Sequence, residues 1–380
     1  CIRDRCCLLH PANTAQPEHR TPMSGLTAYG WNPALSDDFT SLAGADHMPA
    51  RVVRVDRRGV LAATASHVIR CLPGRTGTKS ASASGPPATG DWIAVVAGPD
   101  GSWFVDAILP RRSAIARLTA AGDERQVLAA NVDLVFVVHG LDRPPNLRRL
   151  ERTLVMAWDS GATPVIVLTK TDLVAGGSDG PGVASVVADV QAIAPGVDVI
   201  AVSNETGHGI AAIEHRIESG TTVVLVGESG AGKSSLVNRL LGEERQATAE
   251  TRQGDAKGRH TTASRELIPL PMGGVLIDTP GLRRLGLWEG SDGIALTFSD
   301  IEGFAAACRF RNCGHGDEPG CRVLAAVAAG ELDDARLASY RKLQKELAHE
   351  SLRADVRARR ASERDAGRRY KRAQDDTAEW

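Results

Sequence analysis

Gly227-Glu228-Ser229-Gly230-Ala231-Gly232-Lys233-Ser234-Ser235 is the stretch on which the fold turns. Thr222–Val226, just before it, is an apolar run of strand length, and Leu236–Leu241, just after it, opens an apolar helix. A glycine-rich loop between a strand and a helix fits the P-loop pattern in the context that confirms it. The glycines let several backbone N–H groups point at a phosphate chain, and the helix N-terminus adds its partial positive charge. Lys233 is placed to neutralise β- and γ-phosphates, and Ser234 to ligate Mg²⁺. Alone, the loop indicates a nucleoside triphosphate without saying which.

Outward from the loop, apolar strands alternate with helical stretches from Asn131 onward. The strand-like runs are Val132–Val138, Pro164–Leu168, Asp198–Val202, Thr222–Val226 and Gly274–Ile277, with helices expected at Leu147–Asp159, Gly182–Ala194 and Gly232–Leu241. Near-continuous apolar strands imply a mostly parallel sheet covered on both faces. Three short motifs end these strands, where ligands of open α/β sheets bind. Thr169-Lys170-Thr171-Asp172 offers a carboxylate for the two N–H donors on guanine's edge, with the Lys170 stem over the base. Adenine has an acceptor where guanine has one of those donors, so Asp172 selects guanine. Ser203-Asn204-Glu205 offers backbone N–H groups for guanine O6. Asp278-Thr-Pro-Gly281 offers an acid for Mg²⁺ and a glycine N–H for the γ-phosphate.

The motif order is circularly permuted: the guanine-reading motifs precede the P-loop and Asp278–Gly281 comes last. A sheet is indifferent to where its termini lie, and permutation at surface loops is tolerated. With this order, with Gly90-Asp91-Trp92, Gly258-Arg-His260-Thr261-Thr262 and Ser339-Tyr340-Arg341-Lys342-Leu343, and with the cysteine–histidine cluster described below, the chain resembles the RsgA family. These are permuted GTPases of bacterial small-subunit ribosome assembly. The resemblance runs from about Pro49 to Leu343 and implies a barrel, a permuted G domain and a zinc domain. It also implies rRNA and the small ribosomal subunit as partners. The family's guanine motif usually has Asn where this chain has Thr169; losing that tethering amide is expected to weaken the site while Asp172 is retained.

Many GTPases place a water-orienting Gln directly after the DxxG glycine. Here that position is Leu282, which neither donates nor accepts, so slow intrinsic hydrolysis is expected. His260 is the candidate substitute, and the resemblance gives it that role; the alternative is a switch-loop histidine that touches RNA or nothing. Thr261 or Thr262 is expected to reach Mg²⁺ and the γ-phosphate.

Cys308, Cys313, His315 and Cys321 have the spacing C-x₄-C-x-H-x₅-C, three thiolates and one imidazole for a closed structural Zn²⁺ site. A disulfide is disfavoured in a reducing compartment. The permutation joins this region to DxxG through Leu282–Gly290, so GTP binding or hydrolysis is expected to reposition the zinc domain. Of the seven cysteines, Cys71 reads as core, and Cys1, Cys6 and Cys7 fall in a segment without apolar periodicity. Translation is expected to start at Met23.

Upstream of the G domain, Arg51–Val55, Gly59–Ala63, Thr64–Arg70, Asp91–Val96 and Ser102–Leu109 read as short strands of a small β-barrel of the kind that binds oligonucleotides. Trp92, Trp103 and Phe104 either stack on bases or fill its core. Residues 23–48 read as polar and irregular. Arg353–Arg372 holds nine basic and three acidic residues, a local +6 inside a chain of net −1. Such a segment is either a phosphate-contacting tail or a solvated helical face.

The expected architecture is multidomain α/β. It comprises an N-terminal extension (1–48), an OB-like RNA-binding barrel (49–112), a circularly permuted P-loop GTPase domain (113–290), a helical zinc-binding domain (291–350) and a basic tail (351–380). The expected activity is GTP hydrolysis to GDP and phosphate, stimulated by the small ribosomal subunit and promoting release from it. The alternative is an RNA-binding scaffold that holds GTP structurally. No run reaches the length of a membrane span; a cytoplasmic monomer with no membrane partner is expected.

Overall fold

The computed structural model describes residues 25–74, 85–118, 125–243, 265–278, 292–352 and 356. A 3-10 turn (Leu26–Tyr29) and a helix α1 (Pro33–Leu42) come first. Asn32 caps α1, its Oδ1 accepting from Leu35 N at 3.1 Å. Residues 25–48 are therefore not the irregular segment expected: Leu26, Tyr29 and Leu35 are buried in the same core as the G sheet. The apolar residues that carry this packing are too few to show a period.

Five strands form the barrel: β1 (Met48–Asp56), β2 (Gly59–Ala63), β3 (Val68–Pro73), β4 (Trp92–Ala97) and β5 (Trp103–Ile108). Strand β3 begins later than expected, because residues 64–67 make a turn closed by Thr64 and His67. The order is β1-β2-β3-β5-β4, β3 and β5 run parallel, and β4 returns to β1, giving an OB-like closed barrel. Its core includes Val52, Ile93, Val105 and Cys71, whose thiol burial pushes up to about 11. A hairpin that the sequence did not announce, β6 (Ala114–Leu118) and β7 (Arg125–Ala130), leads to the G domain.

The G domain contains β8 (Leu134–Gly140), α2 (Leu147–Asp159), β9 (Thr163–Thr169), α3 (Pro181–Ile193), β10 (Asp198–Ala201), α4 (Ile210–Arg216), β11 (Thr222–Gly227), α5 (Lys233–Leu241), β12 (Glu266–Pro269) and β13 (Val275–Asp278). Strand order is β10-β9-β8-β11-β13-β12, parallel except for β12. Alternate residues go to opposite faces. Val135, Val137, Val224 and Val226 face one core, and Phe136, Val138, Val223 and Leu225 face the other. Burial on both faces is why these strands read as unbroken apolar runs.

The helices α6 (Asp292–Thr297), α7 (Ser299–Ala305), α8 (Arg322–Ala328) and α9 (residues 334–352) form a third unit with its own core around Phe298, Ile301, Leu337 and Tyr340.

Two buried arginines join these units. Arg51 of β1, 1% exposed, donates to Tyr29 O, Gly90 O (3.3 Å), Asn131 O (3.2 Å) and Thr222 Oγ1 (2.7 Å), tying the N-terminal turn, barrel, hairpin end and G sheet together. Its guanidinium lies 5.0 Å over the Trp92 ring, so Trp92 belongs to the core. Gly90 takes a positive φ of 94°, and a Cβ there would stand 2.2 Å from Ala130 O. Asp91 is buried and gripped by Arg111 through both oxygens at 2.7 Å. Gly90-Asp91-Trp92 is thus a joint. Arg336 of α9 is the second arginine, between the helical unit and the G domain.

Candidate nucleotide site and metal centre

The sequence motifs converge because parallel strands deliver their C-terminal ends to one edge. Thr169 ends β9, Gly227 ends β11, Asp278 ends β13, and Ser203-Asn204-Glu205 follows β10. Gly227, Gly230 and Gly232 all take positive φ, at 151°, 81° and 84°. At Gly227 a Cβ would stand 2.2 Å from Val138 O, so the loop can hug β8 only with glycine. The Lys233 ammonium donates to Gly227 O (2.9 Å) and Glu228 O, which holds it across the loop.

Direct bonds tie the guanine motifs to this loop. Thr169 Oγ1 donates to Ala231 O at 2.6 Å. Thr169 has no amide, but its hydroxyl gives this position a tether of its own to the loop. Asn204 Nδ2 donates to Gly232 O at 3.3 Å. Ser203 Oγ donates to Asp172 Oδ1 at 2.5 Å and accepts from Thr206 N, fixing the carboxylate. Lys170, at φ 61°, lays its stem beside Gly140 and pairs with Asp142 at 3.2 Å. Thr171 turns inward to bond Ser178. Glu205 follows in the same turn, and Ser229, Ser234 and Ser235 complete the loop and the first turn of α5.

Glu228 is paired with Arg143, from the loop after β8, and with Arg149, from the first turn of α2. A cavity of about 340 Å³ lies there, lined by His139, Arg143, Asn146, Arg149, Thr153 and Glu228 among others. No motif announced these arginines; their only signal is charge. Gly281, Leu282, His260, Thr261 and Thr262 lie outside the described residues, as do Met23 and the basic tail except for residues 351, 352 and 356.

In the helical unit, Cys308, Cys313, His315 and Cys321 bring one donor atom each within 4.8 Å of one another. Cys308 Sγ stands 3.9 Å from Cys321 Sγ and 3.7 Å from His315 Nδ1, and Cys321 Sγ stands 3.5 Å from that nitrogen. Tetrahedral Zn²⁺ with bonds of about 2.3 Å to sulfur and about 2.0 Å to nitrogen requires separations of about 3.5–3.8 Å, so the donor set fits the ion. Burial disfavours the Cys308 thiolate, but amides of Val323 and Arg322 and the neighbouring thiols outweigh it and hold that thiol below its usual value. Cys321 caps α8, accepting from Leu324 N.

Arg336, 5% exposed, completes the domain joint. Its guanidinium donates to Asp300 through two 2.7 Å bonds, to Glu151 Oε1 and Ile193 O at 2.9 Å, and to Thr297 O at 3.0 Å. Ser339 Oγ donates to the second Glu151 oxygen. Among the described residues, no helix is long and apolar enough to cross a membrane.

The topology and motif order define a circularly permuted P-loop G domain, flanked by an OB-like barrel and a helical Cys₃His unit. Residues 108–288 match the family described as RsgA GTPase. A Streptomyces coelicolor protein named "Small ribosomal subunit biogenesis GTPase RsgA" is 45% identical over 340 residues, covering 88% of this chain and 90% of that one. A Syntrophotalea carbinolica protein of the same name is 39% identical over 372 residues, covering 91% and 98%. The fold is also that of the crystal structure of YjeQ from Thermotoga maritima (TM-score 0.60, 24% identity, 80% of this chain and 99% of that one). It is likewise that of YloQ, described as a circularly permuted GTPase (TM-score 0.57, 24% identity, 80% and 96%). This chain belongs to the RsgA family of GTPases.

Proposed function

We propose that this chain hydrolyses GTP in the biogenesis of the small ribosomal subunit, binding its rRNA, with turnover stimulated by the particle and hydrolysis promoting release. The observation that carries the nucleotide reading is the pair of bonds from Thr169 to Ala231 O and from Asn204 to Gly232 O, which hold both guanine motifs against the phosphate loop. The subunit as partner is supported by the names of the relatives.

In this reading Asp172, oriented by Ser203, accepts from guanine's two N–H donors, and the Lys170 stem covers the base. The amides of Glu228, Ser229, Gly230, Ala231 and Gly232 surround the phosphates while Lys233 neutralises them. Mg²⁺, when bound, supplies positive charge to the β- and γ-phosphates. Ser234, Asp278 and one of Thr261 and Thr262 would hold it: the hard oxygen donors the ion prefers. His260 orients the water, and Gly281 N–H senses the γ-phosphate. Cys308, Cys313, His315 and Cys321 hold one structural Zn²⁺; four protein donors leave no open position for chemistry. The working domains are 49–112, 113–290 and 291–350, with 351–380 a basic tail, in a cytoplasmic monomer.

Turnover of GTP and of ATP, each with and without purified small subunits, tests the reading. Guanine-specific hydrolysis raised by the particle is expected. Equal use of ATP, or GTP bound without stimulated hydrolysis, overturns it; the second result is that of a scaffold.

A further inference from the structure

Helix α2 meets three partners on three faces. Leu150, Leu154 and Ala157, at helical spacing, enter the core of the G sheet. Glu151, Val155 and Asp159, spaced four apart and therefore on one side, face the helical Cys₃His unit. Glu151 accepts from Arg336 and Ser339, Val155 enters that unit's core, and Asp159 Oδ1 accepts from Gly293 N at 2.8 Å. Next to this row, Arg152 pairs with Glu346 of α9, and Met156 packs into the same core. In the first turn, Arg149 pairs with Glu228, the second residue of the phosphate loop. Gly293 approaches so closely that a Cβ there would stand 2.4 Å from Val155 O.

We propose that α2 is the mechanical link between the phosphate loop and the metal-bearing unit, with Arg149 the positioning residue at the loop end and Arg336 the anchor at the other. The helix spans about 20 Å. The loop end of the link is a charged, largely exposed contact, Arg149 to Glu228. Beyond it α2 is close-packed against α6, α7 and α9 through Val155 and Met156. Close-packed interiors pass a displacement on rather than absorb it, so a change at Glu228 on nucleotide binding that pulls on Arg149 shifts a rod whose other face carries those helices. By linkage, a partner seated on the metal-bearing unit alters nucleotide affinity by the same factor. This route is separate from the covalent one through residues 282–290, and it rests on the P-loop reading above.

Hydrogen exchange of the zinc-loaded full chain, with and without GDP, tests it. In the wild type, amides of Gly293 and of residues 294–305 exchange more slowly when GDP is bound. In Arg149→Ala that nucleotide-dependent difference shrinks by about fivefold, on the scale of a typical coupling energy, while zinc content and Tm stay at wild-type values. Arg149→Lys restores it. In steady state, Arg149→Ala lowers particle-stimulated kcat with little change in KM for GTP. Undiminished nucleotide-dependent protection in Arg149→Ala overturns the link, as does a wild type that binds GDP without any change in those amides. A wild type that binds no guanine nucleotide overturns the functional reading itself, a distinguishable result.

Discussion

Arg51 and Arg336 do the same architectural task by opposite means. Among the described residues Arg51 meets no carboxylate directly: its partners there are three backbone carbonyls and one hydroxyl. Burial pulls it down to about 10, against the more distant Asp133 and Asp91. Arg336 is less completely buried and clasps Asp300 and Glu151, and these acids outweigh burial and hold it above its usual value. At the barrel joint Arg51's own partners are neutral acceptors, beside the buried Asp91–Arg111 pair, and the joint continues into the sheet through the Arg54–Glu266 strand pairing. The joint to the helical Cys₃His unit is built of charge. Losing one partner of a buried ion pair strands the other, whereas carbonyls robbed of a donor can recruit water. The two joints should therefore fail differently.

The largest expected difference comes from the metal. Cys308→Ser, or a strong chelator, should unfold the helical unit, because structural Zn²⁺ binding, worth about 10–16 kcal/mol in small finger peptides, is folding free energy. Limited proteolysis should cut residues 292–352 while the barrel and nucleotide binding survive. If the barrel also melts, the two joints are not independent.

Next is Arg336→Ala, expected to cost about 3–5 kcal/mol in urea unfolding, because Glu151 is left buried and uncompensated. Arg51→Met should cost less, about 2–3 kcal/mol, the desolvation of carbonyls that lose their donor. A reversed order in the same titration would break the contrast between charged and neutral joints.

The sequence exposed what chemistry demands at fixed spacing: the phosphate loop, Asp172, the permuted order and the Cys₃His cluster. Its unbroken apolar strands exposed the parallel sheet. It hid features that rest on contacts between residues far apart in the chain. Arg51 reaches Thr222 across 171 positions, and Arg336 reaches Glu151 across 185; in the sequence each is one charge among many. Helix α1 was hidden because Leu35 is its only buried residue. The Thr169 tether was hidden for another reason: side-chain type shows a missing amide, while the short hydroxyl reaches Ala231 O because β9 ends so close to the loop.

That bond gives a smaller, local prediction. Thr169→Ala should weaken GTP binding about tenfold, close to 1.4 kcal/mol, by leaving Ala231 O unpaired beside the base site. Isothermal titration would show it, with Tm nearly unchanged. Thr169→Asn should recover much of the loss; if it weakens binding further, the loop is shaped around the hydroxyl.

The smallest effect belongs to Asp159, at the α2–α6 contact of the charged joint. Burial pushes its carboxyl up to about 6, Gly293 N–H opposes this, and Asp292 adds to it. An acid with a raised folded pKa binds its proton more tightly when folded. Its contribution is therefore most favourable below the unfolded value near 4 and is lost as pH rises through about 6. Asp159→Asn keeps an acceptor for Gly293 N–H and removes the charge. It should raise Tm by about 2 °C at pH 7 and leave it unchanged near pH 4. Equal effects at both pH values would mean that the carboxylate there is compensated, and that the charged joint extends to the end of α2.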